Sequence, residues 1–310
     1  MLSGFACAIP AMIAARTIPN RKERLFTIFI IPLMSCSARL PVYALLIAYL
    51  IPGDRSWLGG ILLGGIYLFS IIISIIVAWI INKFTKRIFN AEDSSSFILE
   101  LPAYRIPKLS AVISHTYNSS KQYILRAGPI ILGFSLVLWF LTFFPNINPK
   151  VESEGLPIEQ VQNLERAERL EHSYASDLGK FIQPLMTPIG MDWRIGVSLI
   201  SAFAAREVFV SSLALTFKVT SEVDEEPSTL LNSLRNAKIE ATGEKLFTVA
   251  TSIGLIMFFI FALQCLSTVA VSRKETGGWK IPLLQVFIFT SLAYFMTFVT
   301  VNGLRFFGIH

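Results

Sequence analysis

Three cysteines hold the most specific chemistry in this 310-residue chain. Cys7 lies in GFACAIPAM, Cys36 in PLMSCSARLP between Pro32 and Pro41, and Cys265 in FALQCLSTVAV. A lone cysteine in an apolar segment is usually a small packing residue. Two at matching positions of a repeat, with a third between two prolines, point instead to ligands. Placing Cys7 over Cys265 aligns GFACAIPAMIAARTI with FALQCLSTVAVSRKE. Each cysteine is followed by small or β-branched residues and then by a basic exit, Ala15-Arg16 in one copy and Arg273-Lys274 in the other. Sulfur beside oxygen donors suits a late first-row divalent metal better than sodium or magnesium. Ser267 and Thr268 would add hydroxyls. Pro10, Pro32 and Pro41 each remove a backbone donor and free a carbonyl, which must turn to an ion or to a neighbouring helix.

Three charged residues also stand out, because a charge at the centre of a membrane helix costs about 2.5–3.5 kcal/mol even on a lenient scale. Arg206 and Glu207 are adjacent and would point about 100° apart on a helix, so they do not neutralise each other. Glu207 reads as a cation-attracting group at the tip of a hairpin. Arg39 reads as snorkelling, or as pairing with a hairpin carboxylate.

The elements that must position these groups are membrane helices. The chain is 53% hydrophobic and 15% charged, where soluble domains are roughly a quarter charged, and its mean hydropathy is +0.59. The run from Leu58 to Ile81 contains no charged side chain, and a spanning helix needs about 20 apolar residues. Five stretches are long enough to cross: 27–50, 58–82, 127–145, 246–271 and 283–302. A sixth, 181–215, carries Asp192, Arg194, Arg206 and Glu207 among Pro184, Pro188, Gly190 and Gly196. The fold class is therefore all-α, a polytopic membrane protein of about five full spans plus a re-entrant or broken-helix hairpin. The bases lie in short clusters between spans and have no nucleic-acid-binding motif around them, which argues against nucleic acid as a partner and for a lipid bilayer. Three cysteines are too few for a disulfide framework, and no signal peptide precedes the first apolar stretch.

Lysine and arginine density places loops 16–24, 83–126 and 272–282 on the cytoplasmic side, and 51–57, 146–180, 216–245 and 303–310 outside. Both flanks of 181–215 then lie outside. The consistent solution is a hairpin in which 181–193 enters and 194–215 returns. The alternative is an ordinary span at 195–215 behind a shallow helix. Apolar spacing predicts a solvated outer helix over 157–178 and a helix at the cytoplasmic interface over 108–126, where His115 is a surface residue. The domains are a first gate repeat at 1–57, a membrane core at 58–145, a periplasmic loop and helix at 146–180, and a second gate repeat at 181–310. Repeats of this kind are usual in transporters, with the binding site at interrupted helices. Nineteen residues from Leu246 precede Cys265 but six precede Cys7, so the repeat implies an N-terminally truncated or split product.

MLSGFACAIPAMIAARTI followed by ERLFTIFIIPLMSCSARLPVYALLI closely resembles the first gate region of the bacterial ferrous iron transporter FeoB. ELPAYRIPKL, YILRAGPIIL, DWRIGVSLISAFAAREVFVSSLAL and QCLSTVAVSRKETGGWKIPLLQ resemble its later landmarks in order. The resemblance implies multi-pass residence in the bacterial inner membrane and uptake of Fe2+ as transported substrate. It puts Cys7 and Cys265 at the two gate cysteines and Cys36 in the SCSARLP motif. Fe2+ would pass between transient ligands at Cys7, Cys265 and Cys36, with Glu207 and the proline-freed carbonyls as oxygen donors. The resemblance also implies partners: a GTP-binding domain, in the missing amino-terminal part or on a separate chain, small Feo accessory proteins, and room for a homo-oligomer. No GxxxxGK[ST] phosphate loop occurs in these residues, so the chain is not expected to bind nucleotide or act as an enzyme. Position 6 is alanine where many members have glycine, and position 206 arginine where many have lysine. Two rivals remain. One is a gate-type nucleoside or organic-solute carrier, for which Gln264 is the only amide in the two aligned segments GFACAIPAMIAARTI and FALQCLSTVAVSRKE. The other is a non-transporting fragment that acts with a separate GTP-binding chain.

Overall fold

The computed structural model describes residues 2–51, 56–88, 108–145, 165–166, 168–204, 206–217, 227–238, 243, 245–262 and 265–308. Among them the chain is helical apart from turns and one isolated bridge between Lys238 and Lys245. The helices are α1 (Ala8–Ala14), α2 (Arg21–Ile30), α3 (Leu40–Leu50), α4 (Ser56–Ile88), α5 (Leu109–Phe143), α6 (Tyr174–Met186), α7 (Trp193–Ala204), α8 (Val208–Thr216), α9 (Pro227–Asn236), α10 (Val249–Phe261), α11 (Leu266–Thr276) and α12 (Lys280–Phe306).

Four segments of the described residues are long and apolar enough to cross a membrane: Arg21–Leu50, Trp57–Lys83, Val249–Thr276 and Lys280–Phe306. The fifth expected span, 127–145, falls on the second half of α5, where Leu132–Phe143 is apolar. The expected interfacial helix over 108–126 is continuous with it, and α5 runs through Pro129 unbroken. In lipid no water replaces a lost backbone bond, so keeping the remaining helical bonds is the cheaper course. The 157–178 helix enters the described residues at 165. The helical turn there ends at His172–Ser173, where the Ser173 hydroxyl accepts from the Ser176 amide and starts α6. The ELPAYRIPKL landmark up to Pro107, Gln264 and the His115 side chain lie outside the described residues.

Two of the four crossings are interrupted. Between α2 and α3 the chain makes two short 3-10 turns, Ile31–Leu33 and Ser37–Arg39, separated by extended Met34 and Cys36. Between α10 and α11 it opens at Ala262 and at Cys265, which is extended.

The hairpin exists, and the chain reverses once more than expected. An unbroken helix would hold residues eleven apart about 16 Å from each other. Ser212 Oγ instead donates to Ser201 Oγ at 3.3 Å, eleven residues away. The chain therefore doubles back at Arg206–Glu207, with α7 as the entering limb and α8 as the returning one, packed along each other. The expected reversal near residue 193 is also present: after α6 the chain turns through Thr187–Asp192, where Gly190 has φ 74°, and α7 packs back along α6. Gly179 makes that packing close, because a Cβ there would stand 3.0 Å from the Trp193 carbonyl oxygen.

Burial of apolar surface does not drive helices together in lipid; close fit does. The tightest pair is α10 on α12. A Cβ on Gly254 would collide with Val301, and Thr297 Oγ1 donates to the Gly254 carbonyl at 3.3 Å. Tyr43, Leu46, Phe209, Leu213, Leu255 and Phe259 fill the centre between α3, α8 and α10. α4 lies outside this centre, with Trp57, Ile61, Leu68, Ile75 and Trp79 exposed along it, as a lipid-facing helix requires.

Candidate functional site

All three cysteines occupy the same kind of position. Each is an extended residue immediately before a helical turn: Cys7 before α1 (φ −157°, ψ 137°), Cys36 before Ser37–Arg39 (φ −89°, ψ 162°), and Cys265 before α11 (φ −62°, ψ 147°). None makes a side-chain cap bond, all three are half-buried, and none is in a disulfide. The two aligned copies thus share a local geometry, and α1 packs directly on α11. Their far ends are tied by a bidentate pair, Arg16 Nε and Nη2 donating to the Glu275 carboxylate at 2.7 Å each. That bond holds the Arg16 pKa above its ordinary value.

Cys7 has Cys265, Cys36 and Glu207 as electrostatic neighbours. The loop before it is joined to the first break by Ser37 Oγ, which donates to the Ala6 carbonyl at 3.0 Å. Around Cys265 the expected oxygen donors are present. Ser267 Oγ donates to the sulfur at 3.0 Å, and Thr268 Oγ1 lies 3.0 Å from it. Glu207 is at the hairpin tip as expected, exposed and without a cap bond. Among the described residues, no three His, Cys, Asp or Glu side chains come together as a metal-binding group. A helix N-terminus is itself the positive end of a dipole. A cation beside these turns would have to be held by sulfur and hydroxyl lone pairs, one small set at a time.

The proline-freed carbonyls are not open to an ion. Pro10, Pro32 and Pro41 all sit in first turns, where the missing N–H removes little. The carbonyls four residues before them all have donors. Ala6 O takes the Ser37 hydroxyl, and Ser37 O takes the Leu40 amide. Ile28 O takes Gln285 Nε2 at 3.0 Å, which also reaches Phe29 O at 3.3 Å. Gln285 is 1% exposed and accepts from Ser272 Oγ at 2.7 Å. The sequence signal for this role is an amide inside an apolar run.

Arg39 does not pair with a hairpin carboxylate, nor does it snorkel. It is fully buried, and its Nη1 donates to Ser35 Oγ and to the Ile260 carbonyl at 3.1 Å each. Its Nη2 donates to the Ala262 carbonyl at 3.2 Å, and Arg206 Nη2 donates to that same oxygen at 3.2 Å. The physical reason lies in the break: where α10 ends at Phe261, its last carbonyls have no helical donor, and the negative end of the helix dipole attracts cations. Two unit charges about 6 Å apart at an effective dielectric of about 20 still repel by roughly 3 kcal/mol. A polar cluster supports Arg39 from behind, with Ser35 Oγ donating to Ser70 Oγ at 2.9 Å and lying 3.4 Å from the Tyr43 hydroxyl.

Two family models match the sequence. One, described as "Nucleoside recognition" and called Gate, covers residues 1–50 and 124–279. The other, described as "Ferrous iron transport protein B C terminus", covers residues 63–118. Among similar proteins, a "Fe(2+) transport protein A/Fe(2+) transporter FeoB fusion protein" of Porphyromonas gingivalis is 34% identical over 99% of this chain and 38% of its own length. A "Fe(2+) transporter FeoB" of Leptospira biflexa is 37% identical over 96% of this chain and 41% of its own. Another, of Campylobacter jejuni, is 34% identical over 96% and 45%. The chain thus spans less than half the length of these relatives. No solved structure matches it. The chain belongs to the Gate family, and its residues 63–118 match the model of the ferrous iron transport protein B C terminus.

Proposed function

We propose that this chain is the permease part of an inner-membrane transporter that takes up ferrous iron. Fe2+ moves inward through the helix breaks, exchanging between Cys7, Cys36 and Cys265. Ser267, Thr268 and Glu207 lend oxygen donors along the way. The observation that carries this reading is the identical placement of three cysteines at helix starts, with Cys36, Cys265 and Glu207 all within electrostatic reach of Cys7. Dispersed ligands suit passage better than a closed cage, since an ion must bind well enough to enter and weakly enough to leave. Borderline sulfur and hydroxyl donors favour Fe2+ over magnesium.

The relatives' names support iron as the cargo, and the fusion name supports an accessory protein of the transport protein A type as a partner. A GTP-binding part, joined to this chain or separate, supplies the nucleotide step. The chain itself performs no catalysis.

The test is initial-rate Fe2+ uptake in cells lacking their own ferrous transport, with the chain joined to its GTP-binding part. Cys7→Ser and Cys265→Ser should each lower uptake by about tenfold or more at equal membrane abundance, since replacing sulfur by oxygen weakens a borderline-metal ligand. Uptake equal to the parent in both variants overturns the ligand roles.

A further inference from the structure

Charge at the two breaks does not balance. Arg39 is fully buried and Arg206 is 6% exposed. Both donate to Ala262 O at 3.2 Å, so those two nitrogens lie within twice that distance of each other. Among the described residues, no Asp or Glu forms an ion pair with either guanidinium. Glu207, the next residue, is exposed. Each arginine also has an unused donor: Arg39 Nε and Arg206 Nη1 are buried without a hydrogen-bond partner. A buried guanidinium with a free N–H and no counter-charge is costly in a low-dielectric interior.

Beside these groups is room for a ligand. Arg206 and Ala262 help line a half-open cavity of about 310 Å³ between α6, α7, α10 and α12. Phe203, Phe258, Phe259 and Val286 supply apolar wall, and Thr290 lines it as the one hydroxyl-bearing residue. The cavity thus offers a fixed positive charge, a hydroxyl and apolar surface, with no acidic residue in its lining.

We infer that this cavity is an anion site, seating a small monovalent halide, chloride in the cell, against Arg206. A halide accepts from any direction and sheds water easily, so one guanidinium, one hydroxyl and apolar walls suffice for it. Phosphate or sulfate would bring more charge than the single lining cation offsets and more acceptor oxygens than the two donors satisfy. The bound anion cancels positive charge near Cys36 and Cys265, both electrostatic neighbours of Arg206. It thereby removes the repulsion a cation would otherwise meet there. The site stands independently of the iron reading, because its occupancy is measured without iron.

The experiment uses the full chain in lipid nanodiscs, free of iron, with sodium gluconate exchanged for sodium chloride at constant ionic strength. Chlorine NMR line width should broaden saturably, bromide should reverse the broadening, acetate should reverse it only weakly, and the melting temperature should rise with chloride. Arg206→Gln should weaken binding about tenfold or more, the loss expected of one charge-assisted hydrogen bond. Thr290→Val should weaken it less, and Arg16→Gln, at the distant surface pair, should leave it unchanged. Should Arg206→Gln fail to fold, the Thr290→Val titration and the anomalous signal of bromide bound to the parent protein beside Arg206 decide the matter. Broadening that never saturates in the parent, equal binding in the parent and Arg206→Gln, or bromide density away from Arg206 each overturns the assignment.

Discussion

Replacing Gln285 by leucine tests whether the carbonyls freed by proline are structural acceptors or waiting ligands. The side chain is 1% exposed and makes three hydrogen bonds: to Ile28 O, to Phe29 O, and from Ser272 Oγ. Leucine nearly preserves volume, so the cavity cost is small. Ser272 lies on α11 and can turn its hydroxyl to the carbonyl one turn back, which recovers its bond. Ile28 O has no such recourse, because Pro32 occupies the position whose N–H would have served it. An orphaned buried carbonyl costs about 1–3 kcal/mol, and the second lost bond adds about 1 kcal/mol. Polar bonds inside membranes measure toward the lower end of such ranges. The sum is about 2–3 kcal/mol, or roughly 4–12 °C off the melting temperature at about 2–4 °C per kcal/mol. Melting of the purified chain in nanodiscs reads this directly. Gln285→Glu, which keeps the size but loses the donor and buries an acid against two carbonyls, should destabilise at least as much. A Gln285→Leu protein that melts with the parent while transporting Fe2+ faster would refute the reasoning, since it would mean that Ile28 O serves the ion and gains by being released.

Gly254→Ala should destabilise the chain by about 1–3 kcal/mol, because its Cβ lands on Val301 in the tightest helix pair. Val301→Ala in the same chain should recover part of the loss, and a parent-like melting temperature for the single variant would contradict the contact. Ser201→Cys with Ser212→Cys, in a chain whose three native cysteines are serines, should cross-link on mild oxidation without loss of fold, because the two hydroxyls already lie 3.3 Å apart. Failure to cross-link would restore a straight span at 195–215. Arg16→Gln should cost under about 1 kcal/mol, because the pair is partly exposed, and the difference should shrink in high salt. The bond to Glu275 raises the Arg16 pKa, so the arginine's share of stability is complete below the ordinary arginine value and is lost only as pH rises through the higher folded-state value. Melting curves between roughly pH 6 and 9 should therefore show no dependence from Arg16 itself.

Composition and hydropathy made the helical, membrane-spanning character legible, because lipid admits few other backbones. Cys7 and Cys265, aligned in the sequence, each mark a chain opening just before a short helix. Arg39 and Arg206 could be singled out by cost alone. Their partners could not, because a backbone carbonyl has no sequence signature and Arg39 finds Ile260 and Ala262 more than 220 residues away. The second reversal is hidden for a related reason. Pro184, Pro188 and Gly190 mark one turn, whereas the reversal at Arg206–Glu207 carries no helix breaker and becomes visible only through Ser201 meeting Ser212.

Ala262 O takes donors from both arginines, and so joins the opening in the first half of the chain to the hairpin in the second. Swinging that peptide aside would break a bond to each guanidinium in a single event, with Arg39 still held by Ser35 and Ile260. The energy needed to move it is therefore met all at once, which gives a threshold where two separate latches would have given a graded response.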